Sequence, residues 1–314
     1  MKHLMLWVML IFCVSVAQCQ PRSQWIHFDW HGEMIFGKYY PRVAMSVPLK
    51  IEHLPYPFCA QFDLGATTTM LYENSFRPFD LRPPFVLQKQ DTTLGLYYLY
   101  GKQCFFLKAV NLRLDQTPFP RRNVVLVPDY GETFPADSMH TASPKLVGTI
   151  APDLFQNKIL VIDFARQRMA AFDRLPARYA RANFVPSVIR KGRIKIPVQI
   201  GDSTRYLMFD TGNCLADLLL DKESIRLLSD ANEPAVESLN GNTWGQAIVY
   251  YSKRISQPVF FHGQPLPIKQ AMYSDLNEDV QFNHEEKIIG LIGPLLFADK
   301  TIIIDYQRSV FGIL

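Results

Sequence analysis

Two aspartates stand in matching apolar contexts. Asp63 lies in the run CAQFDLGATTT and Asp210 lies in the run LMFDTGN, so each follows a phenylalanine and forms an Asp-x-Gly turn. Charged side chains are rarely buried without a partner, and each of these aspartates suggests the other as its partner. Two carboxyl groups about 3 Å apart cannot both ionise, so they share one proton. One carboxyl can then act as a general base on water while the other donates its proton.

An internal repeat explains why the two aspartates belong together. The segment GTIAPDLFQNKILVIDF from Gly148 matches GLIGPLLFADKTIIIDY from Gly290 at a constant offset of 142 residues. Upstream, VPLKI at 47–51 aligns with IPVQI at 196–200. Self-similarity of this kind indicates a duplicated structural unit. We therefore expect a pseudo-two-fold arrangement that brings the two turns together, with glycine needed where the backbones pass closely.

The repeat also sets the expected fold class. Each half contains a β-branched run, ILVIDF or TIIIDY, of the kind typical of buried strands, and a proline that can begin a short helix. Aromatic residues make up 13% of the chain, and its 22 prolines suit many short strands and turns. We predict an all-β protein with few short helices, built as two lobes over 18–176 and 177–314. The polar stretch 261–286 is expected to form surface loops.

The N-terminus has the pattern of a secretory signal peptide. A short basic start precedes an apolar run over 4–14, and Ser15-Val16-Ala17 matches a small-x-small cleavage site. We expect residues 1–17 to be removed and the mature protein to be secreted or otherwise extracytoplasmic. The alternative is a lipid-anchored N-terminus at Cys19, which the preceding Gln18 fits poorly.

The cysteines, the net charge and the motifs that are missing bear on which classes of protein and which kinds of site remain possible. Cys19, Cys59, Cys104 and Cys214 remain after such a cleavage, and an oxidising compartment favours one or two disulfides. Four cysteines allow three full pairings, of which we favour the one that joins Cys59 to Cys104. The cysteine spacings fit no metal-ligand pattern. A net charge of +4 without a dense Lys/Arg run disfavours nucleic acid, and no Gly-x-Ser-x-Gly motif supports a serine hydrolase.

Several motifs together resemble the pepsin-like, bilobal aspartic proteases. They are the two Phe-Asp-x-Gly turns, the two apolar-apolar-Gly segments that end at Gly148 and Gly290, and the two closing Ile-Asp-aromatic strands. The resemblance covers the chain from about residue 42 to residue 314. It implies two β-rich lobes with a cleft between them, extended peptide or protein substrates and no cofactor. We also expect a monomer without a membrane span.

The resemblance assigns roles to particular residues. It implies that Asp63 and Asp210 are the catalytic pair and that Gly65 and Gly212 permit their approach. Thr211 and Asn213 are further supporting residues by the same resemblance. The family also closes a β-hairpin flap over its substrate with a tyrosine near the tip, and Tyr100, followed by Gly101, is the candidate here.

The chain departs from the family pattern at three positions around the turns. The middle residue is usually Thr or Ser, whose hydroxyl bonds to the other lobe; Thr211 fits and Leu64 does not. Half of this brace is therefore expected to be missing, at a cost of about 1 kcal/mol. Ala66 and Asn213 stand where pepsin-like members carry Ser or Thr, although Ala is common there in retroviral relatives. With fewer donors to the ionised form, we expect higher pKa values for the pair and an optimum less acidic than pepsin's.

These departures motivate two alternatives to a protease. The first is a pepsin-fold protein that binds peptides, or inhibits another protein, without cleaving. The second is an anchored surface protein whose duplicated lobes are purely structural.

Overall fold

The computed structural model describes residues 24–35, 37–83, 85–99, 101–230, 232–243 and 246–314. The predicted signal peptide (1–17) and Cys19 lie outside this part of the chain. None of the helices in the described residues combines the length and the hydropathy needed to cross a membrane.

The described residues form 24 β-strands and two short α-helices, so the chain is mostly β as predicted. The strands of the first half are β1 (Ile26–His27), β2 (Asp29–Ile35), β3 (Lys38–Ile51), β4 (Phe58–Phe62), β5 (Met70–Tyr72), β6 (Tyr97–Leu99), β7 (Lys102–Leu114), β8 (Thr117–Val127), β9 (Lys145–Ile150), β10 (Ile159–Asp163) and β11 (Arg168–Phe172). Those of the second half are β12 (Asn183–Pro186), β13 (Val188–Arg190), β14 (Arg193–Ile200), β15 (Ser203–Phe209), β16 (Leu218–Asp221), β17 (Glu237–Thr243), β18 (Gln246–Arg254), β19 (Val259–Phe261), β20 (Gln264–Pro265), β21 (Gln270–Ser274), β22 (Gly290–Ile292), β23 (Thr301–Asp305) and β24 (Val310–Ile313).

The helices are few and short, in keeping with the sequence. The α-helices are α1 (Glu73–Phe76) and α2 (Asn277–Glu286), and the 3-10 turns are Arg77–Phe79, Leu87–Lys89, Thr92–Leu94, Pro152–Phe155, Ala177–Tyr179, Ser224–Leu227 and Pro294–Phe297. Pro152 and Pro294 each begin a turn, as the repeat predicts, because proline at a first helical position loses no hydrogen bond there.

Each half of the chain builds a sheet of its own, and a third sheet joins the two halves. The first-half sheet has the order β2-β3-β4-β9-β5-β8-β7-β6, with an additional pairing of β3 with β7. The second-half sheet has the order β17-β18-β21-β16-β22-β15-β14-β19-β20, with β13 paired to β14. The joining sheet, β1-β11-β10-β23-β24-β12, takes strands from both halves. The result is a two-lobe β architecture.

The same three-strand motif lies at the centre of both lobes. In the first lobe, β9 is parallel to β4 and antiparallel to β5. In the second, β22 is parallel to β15 and antiparallel to β16. Gly148 and Gly290 lie on these central strands, where an added Cβ would come within 2.1 Å of the Met70 carbonyl oxygen and 2.4 Å of the Leu219 carbonyl oxygen respectively. The glycine of each apolar-apolar-Gly segment is therefore required by the close approach of a neighbouring strand.

A buried phenylalanine anchors the strand end that precedes each aspartate. Phe62 and Phe209 are both fully buried. Phe62 packs edge-on against Phe155 with ring centroids 6.0 Å apart, and Phe209 packs the same way on Phe297 at 5.7 Å. Each partner comes from the proline-started 3-10 turn of the same lobe. Burying such a side chain stabilises the fold by roughly 1.5–3 kcal/mol. The two phenylalanines therefore hold the backbone in place immediately before each aspartate.

The stretch 261–286 does not form only surface loops, and that prediction is wrong. It contains β21, which lies between β18 and β16 inside the second-half sheet, and it contains the helix α2. The buried residues of β21 are Ala271 and Ser274, which are small or polar. Because of this, β21 lacks the alternating apolar pattern by which a strand is recognised in a sequence.

The predicted disulfide between Cys59 and Cys104 is also wrong. Cys59, Cys104 and Cys214 are all buried, free thiols. Cys59 lies on β4 and Cys104 on β7, which are not neighbouring strands in the first-half sheet. Cys104 instead packs with an apolar cluster that includes Met70 and Val125. Both thiols serve as small core side chains.

Candidate active site

Asp63 and Asp210 occupy the same place in their respective lobes. Each follows the strand that runs parallel to the central strand of its lobe. The Asp63 N–H donates to the Ile150 carbonyl at 3.0 Å, and the Asp210 N–H donates to the Ile292 carbonyl at 3.0 Å. The central strands thus fix both aspartates by equivalent backbone hydrogen bonds.

The two carboxyl groups meet across the lobes. A Cβ added to Gly65 would lie 2.5 Å from Asp210 Oδ1, and one added to Gly212 would lie 2.8 Å from the Asp63 Cγ. Each carboxyl therefore lies directly against the glycine of the opposite turn, and each affects the pKa of the other. Both aspartates keep part of their surface exposed, so water can reach the pair.

The hydrogen bonds around the pair are unequal. Asp63 Oδ1 accepts the N–H groups of Gly65 at 2.8 Å and Ala66 at 2.9 Å. Asp210 Oδ1 accepts the Gly212 N–H at 2.8 Å. Hydrogen bonds to a carboxylate favour its ionised form, so Asp63 is the better placed of the two to carry the charge.

The pKa values follow the same asymmetry. Burial raises the pKa of Asp63 above its ordinary value, and the hydrogen bonds from Asp210 and the two backbone N–H groups oppose that rise. Burial raises the pKa of Asp210 well above its ordinary value, and the charge of Asp63 raises it further. The pair thus titrates as a unit and shares one proton, and the larger rise at Asp210 favours that carboxyl as the carrier of the proton.

A single threonine braces the two turns. Thr211 Oγ1 donates to the Phe62 carbonyl at 2.9 Å and accepts the Leu64 N–H at 2.9 Å. Thr211 is fully buried, as is the Leu64 side chain in the core. Leu64 has no hydroxyl to return the same contact, so the brace runs in one direction, from the second lobe to the first.

The side chains of two other residues near the second turn donate to backbone carbonyl groups. Asn213 Nδ2 donates to the Ala216 carbonyl at 3.3 Å, which supports the loop after the turn. The Cys214 thiol donates to the Thr211 carbonyl at 3.1 Å. Burial, together with the nearby carboxyl charges, raises the pKa of Cys214, so this thiol is poorly suited to act as a nucleophile.

The flap candidate Tyr100 lies outside the described residues, but its hairpin does not. Strands β6 and β7 pair in the register Tyr97–Cys104 and Leu99–Lys102. The Tyr97 hydroxyl lies 2.9 Å from Thr67 Oγ1, four residues after Asp63. The sequence alone does not single out Tyr97 or this contact.

The threonine run after Asp63 also has a partner that the sequence did not reveal. Thr69 Oγ1 donates to Asp153 Oδ1 at 2.7 Å, and the Thr69 N–H donates to Asp153 Oδ2 at 3.0 Å. Thr68 Oγ1 donates to the same carboxyl at 3.3 Å. Asp153 belongs to the proline-started turn Pro152–Phe155, so these bonds tie the turn at Asp63 to the end of the central strand.

Comparisons with known proteins give a likeness to solved structures and none in sequence. No family model matches the chain, and no curated protein matches it in sequence. Among solved structures, the chain is similar to an aspartic proteinase from Irpex lacteus, with 12% sequence identity and a TM-score of 0.47. The likeness covers 93% of this chain and 96% of that one.

Proposed function

We propose that this chain is a pepsin-like aspartic endopeptidase, which hydrolyses peptide bonds with Asp63 and Asp210. The observation that carries the proposal is the meeting of two partly exposed carboxyl groups at equivalent points of a duplicated fold. The proposed substrate is an extended peptide or protein segment lying between the lobes. We also propose an exported, monomeric protein, on the strength of the N-terminal sequence pattern and the single-chain duplication.

The unequal surroundings of the two carboxyls assign their roles. Ionised Asp63 accepts a proton from a water molecule held between the pair, and the water oxygen bonds to the peptide carbonyl carbon. Asp210 gives its proton to the carbonyl oxygen, which produces a neutral tetrahedral diol. Asp63 then delivers the proton it gained to the leaving nitrogen, the C–N bond breaks, and one hydroxyl proton returns to Asp210. No covalent enzyme intermediate is formed.

The test is cleavage of an unfolded protein substrate from acidic to neutral pH. We expect the wild type to cleave, and Asp63→Asn and Asp210→Asn each to abolish cleavage without loss of the folded state. Asp202→Asn, at an exposed turn, is the matched control and should cleave like the wild type. Cleavage that survives in either dyad variant would exclude the proposed mechanism.

One observation favours a second candidate function, a peptide-binding protein that does not cleave. Leu64 offers no hydroxyl, so the turns are braced from one lobe only. Under this alternative, the wild type and both dyad variants would bind an unfolded peptide with equal affinity and none would cleave it.

A further inference from the structure

A buried cluster of charges lies between the end of α2 and β14, whose partner strand β15 leads to Asp210. Glu286, at the end of α2, forms ion pairs with Arg193 and with Lys195, the latter at 2.6 Å. Arg190 adds a longer contact of 3.9 Å to the same carboxylate. Arg193, Lys195 and Glu286 are each less than 10% exposed. One buried carboxylate thus faces two buried cations, and buried charge of this kind is costly unless it is compensated.

The register of the strands indicates that Arg193 lies on the same face of the sheet as Asp210. In the antiparallel pair β14–β15, Lys195 lies opposite Met208 and Ile196 lies opposite Leu207. The same register, continued beyond the last paired residue of β15, sets Arg193 opposite Asp210. Opposed residues in antiparallel strands project from the same face of the sheet. The intervening residues Ile194 and Phe209 both project into the core, so Arg193 and Asp210 share the other face.

Arg193 also has unused hydrogen-bonding capacity. Its Nε is buried and has no hydrogen-bond partner among the described residues, whereas its terminal nitrogen binds Glu286. Its positive charge acts on Asp63, whose pKa it lowers against the effect of burial. The positive charge of Arg193 therefore favours the ionised form of Asp63.

We propose that Arg193, held in place by Glu286, is a positioning residue that keeps one carboxyl of the Asp63–Asp210 pair ionised. It does so in a site where the side chains of Leu64 and Ala66 provide no hydroxyl donor. This inference extends the proposed function, and its consequence for catalysis rests on that function. The effect of Arg193 on the titration of the aspartate pair can be measured whether or not the protein cleaves peptides.

Other groups that face Asp63 do not supply this charge. Asp210 follows β15 and carries the shared proton. Tyr72, on β5, and Cys214, after the second turn, are both coupled electrostatically to Asp63. Burial raises the pKa of both, so each is neutral from acidic to neutral pH. Arg193 is therefore a charged group that favours the ionised form of Asp63 in this range.

The experiment is a pH titration of the aspartate carboxyl carbons by ¹³C NMR, with the signals of the pair assigned by their loss in Asp63→Asn and Asp210→Asn. Arg193→Met keeps a long apolar stem and removes the charge, so the first titration step of the pair should move to higher pH. Arg193→Lys retains the charge and should stay close to the wild type. Glu286→Gln leaves the cluster more positive and should move the step to lower pH.

The same variants are assayed for kcat/KM against pH. In Arg193→Met the acidic limb should move upward, with about a tenfold loss of activity in acid for each pH unit of displacement, and Arg193→Lys should restore the wild-type limb. A purely structural role would lower the plateau and leave the limb in place.

The outcomes separate the inference from the proposed function. If the wild type cleaves but its titration is unmoved in both Arg193→Met and Glu286→Gln, the role of Arg193 is refuted and the protease stands. If the titration moves as expected but the wild type cleaves nothing, the electrostatic role stands and the protease is refuted. Should Arg193→Met fail to fold, the opposite shift in Glu286→Gln decides the question.

Discussion

Val161 of β10 and Ile303 of β23 hold equivalent positions in the repeat, and they pair with each other in the sheet that joins the two lobes. On one side of this pair Ile159 opposes Asp305, and on the other Asp163 opposes Thr301. This is the register of a two-fold axis through Val161 and Ile303. The axis explains why the two Asp-x-Gly turns approach each other from equivalent directions.

The first prediction concerns the glycines of the two turns. In Gly65→Ala and Gly212→Ala, the new methyl group would collide with the carboxyl of the opposite aspartate. We expect each variant to lose more than about a hundredfold in kcat/KM, because a misplacement of about 1 Å costs roughly that much. The control is Gly201→Asn, at an open turn with φ 55° where a Cβ meets nothing within 4 Å and where asparagine is tolerated. Full activity in Gly65→Ala would contradict the close approach.

The second prediction concerns the one-directional brace. Thr211→Val keeps the shape of the side chain but leaves the Phe62 carbonyl and the Leu64 N–H without their buried partner. Each unsatisfied group costs about 1–3 kcal/mol, so we expect a loss of that order or more in the free energy of unfolding, measured by urea titration. Thr211→Ser retains the hydroxyl and should lose much less. Equal stability of the two variants would show that the hydroxyl is not the brace.

The third prediction concerns stability and pH. The pKa of Asp210 is raised on folding by burial and by the charge of Asp63, so the folded state binds more protons than the unfolded chain above the ordinary aspartate pKa of about 3.9. The free energy of unfolding must therefore fall as pH rises from there through the raised pKa. Asp210→Asn removes this contribution, and its Tm relative to the wild type should increase from acidic to neutral pH.

A control and a contradicting outcome accompany this pH prediction. Asp202→Asn removes an exposed carboxyl and should follow the wild-type dependence of Tm on pH. If Asp210→Asn loses Tm relative to the wild type as the pH rises, Asp210 is not the protonated member of the pair.

The fourth prediction concerns the cysteines. Burial and the charge of Asp29 raise the pKa of Cys59 to about 11, and Cys104 and Cys214 are buried as free thiols. In the folded protein these three thiols should resist iodoacetamide, and all three should be alkylated after unfolding in urea without a reductant, as read by peptide mass spectrometry. A Cys59–Cys104 linked peptide in the non-reduced digest would contradict the free thiols.

The repeat allowed much of the architecture to be predicted from the sequence. It located the two Asp-x-Gly turns, the central-strand glycines Gly148 and Gly290, and the proline-started turns, and the structure places each of these at equivalent points of two lobes. These features follow from backbone geometry, which limits the residue types at fixed spacings. For the same reason they are visible in a single sequence.

The features that the sequence did not reveal depend on contacts between distant side chains. Thr69 and Asp153 are 84 residues apart, and Arg193 and Glu286 are 93 residues apart. Neither pair lies in a repeated or periodic pattern, so only the fold brings its members together. The favoured disulfide failed for a related reason, because membership of the same half says nothing about which strands are neighbours.

The solitary threonine clasp has a consequence for ancestry. A homodimer assembled from two copies of the first half would present two leucines at this seam and no clasp at all. One assembled from two copies of the second half would present two threonines and a reciprocal clasp. Fusion into one polypeptide holds the halves at a high effective concentration. A single threonine therefore suffices to link the two turns, whereas separate subunits would use one threonine from each.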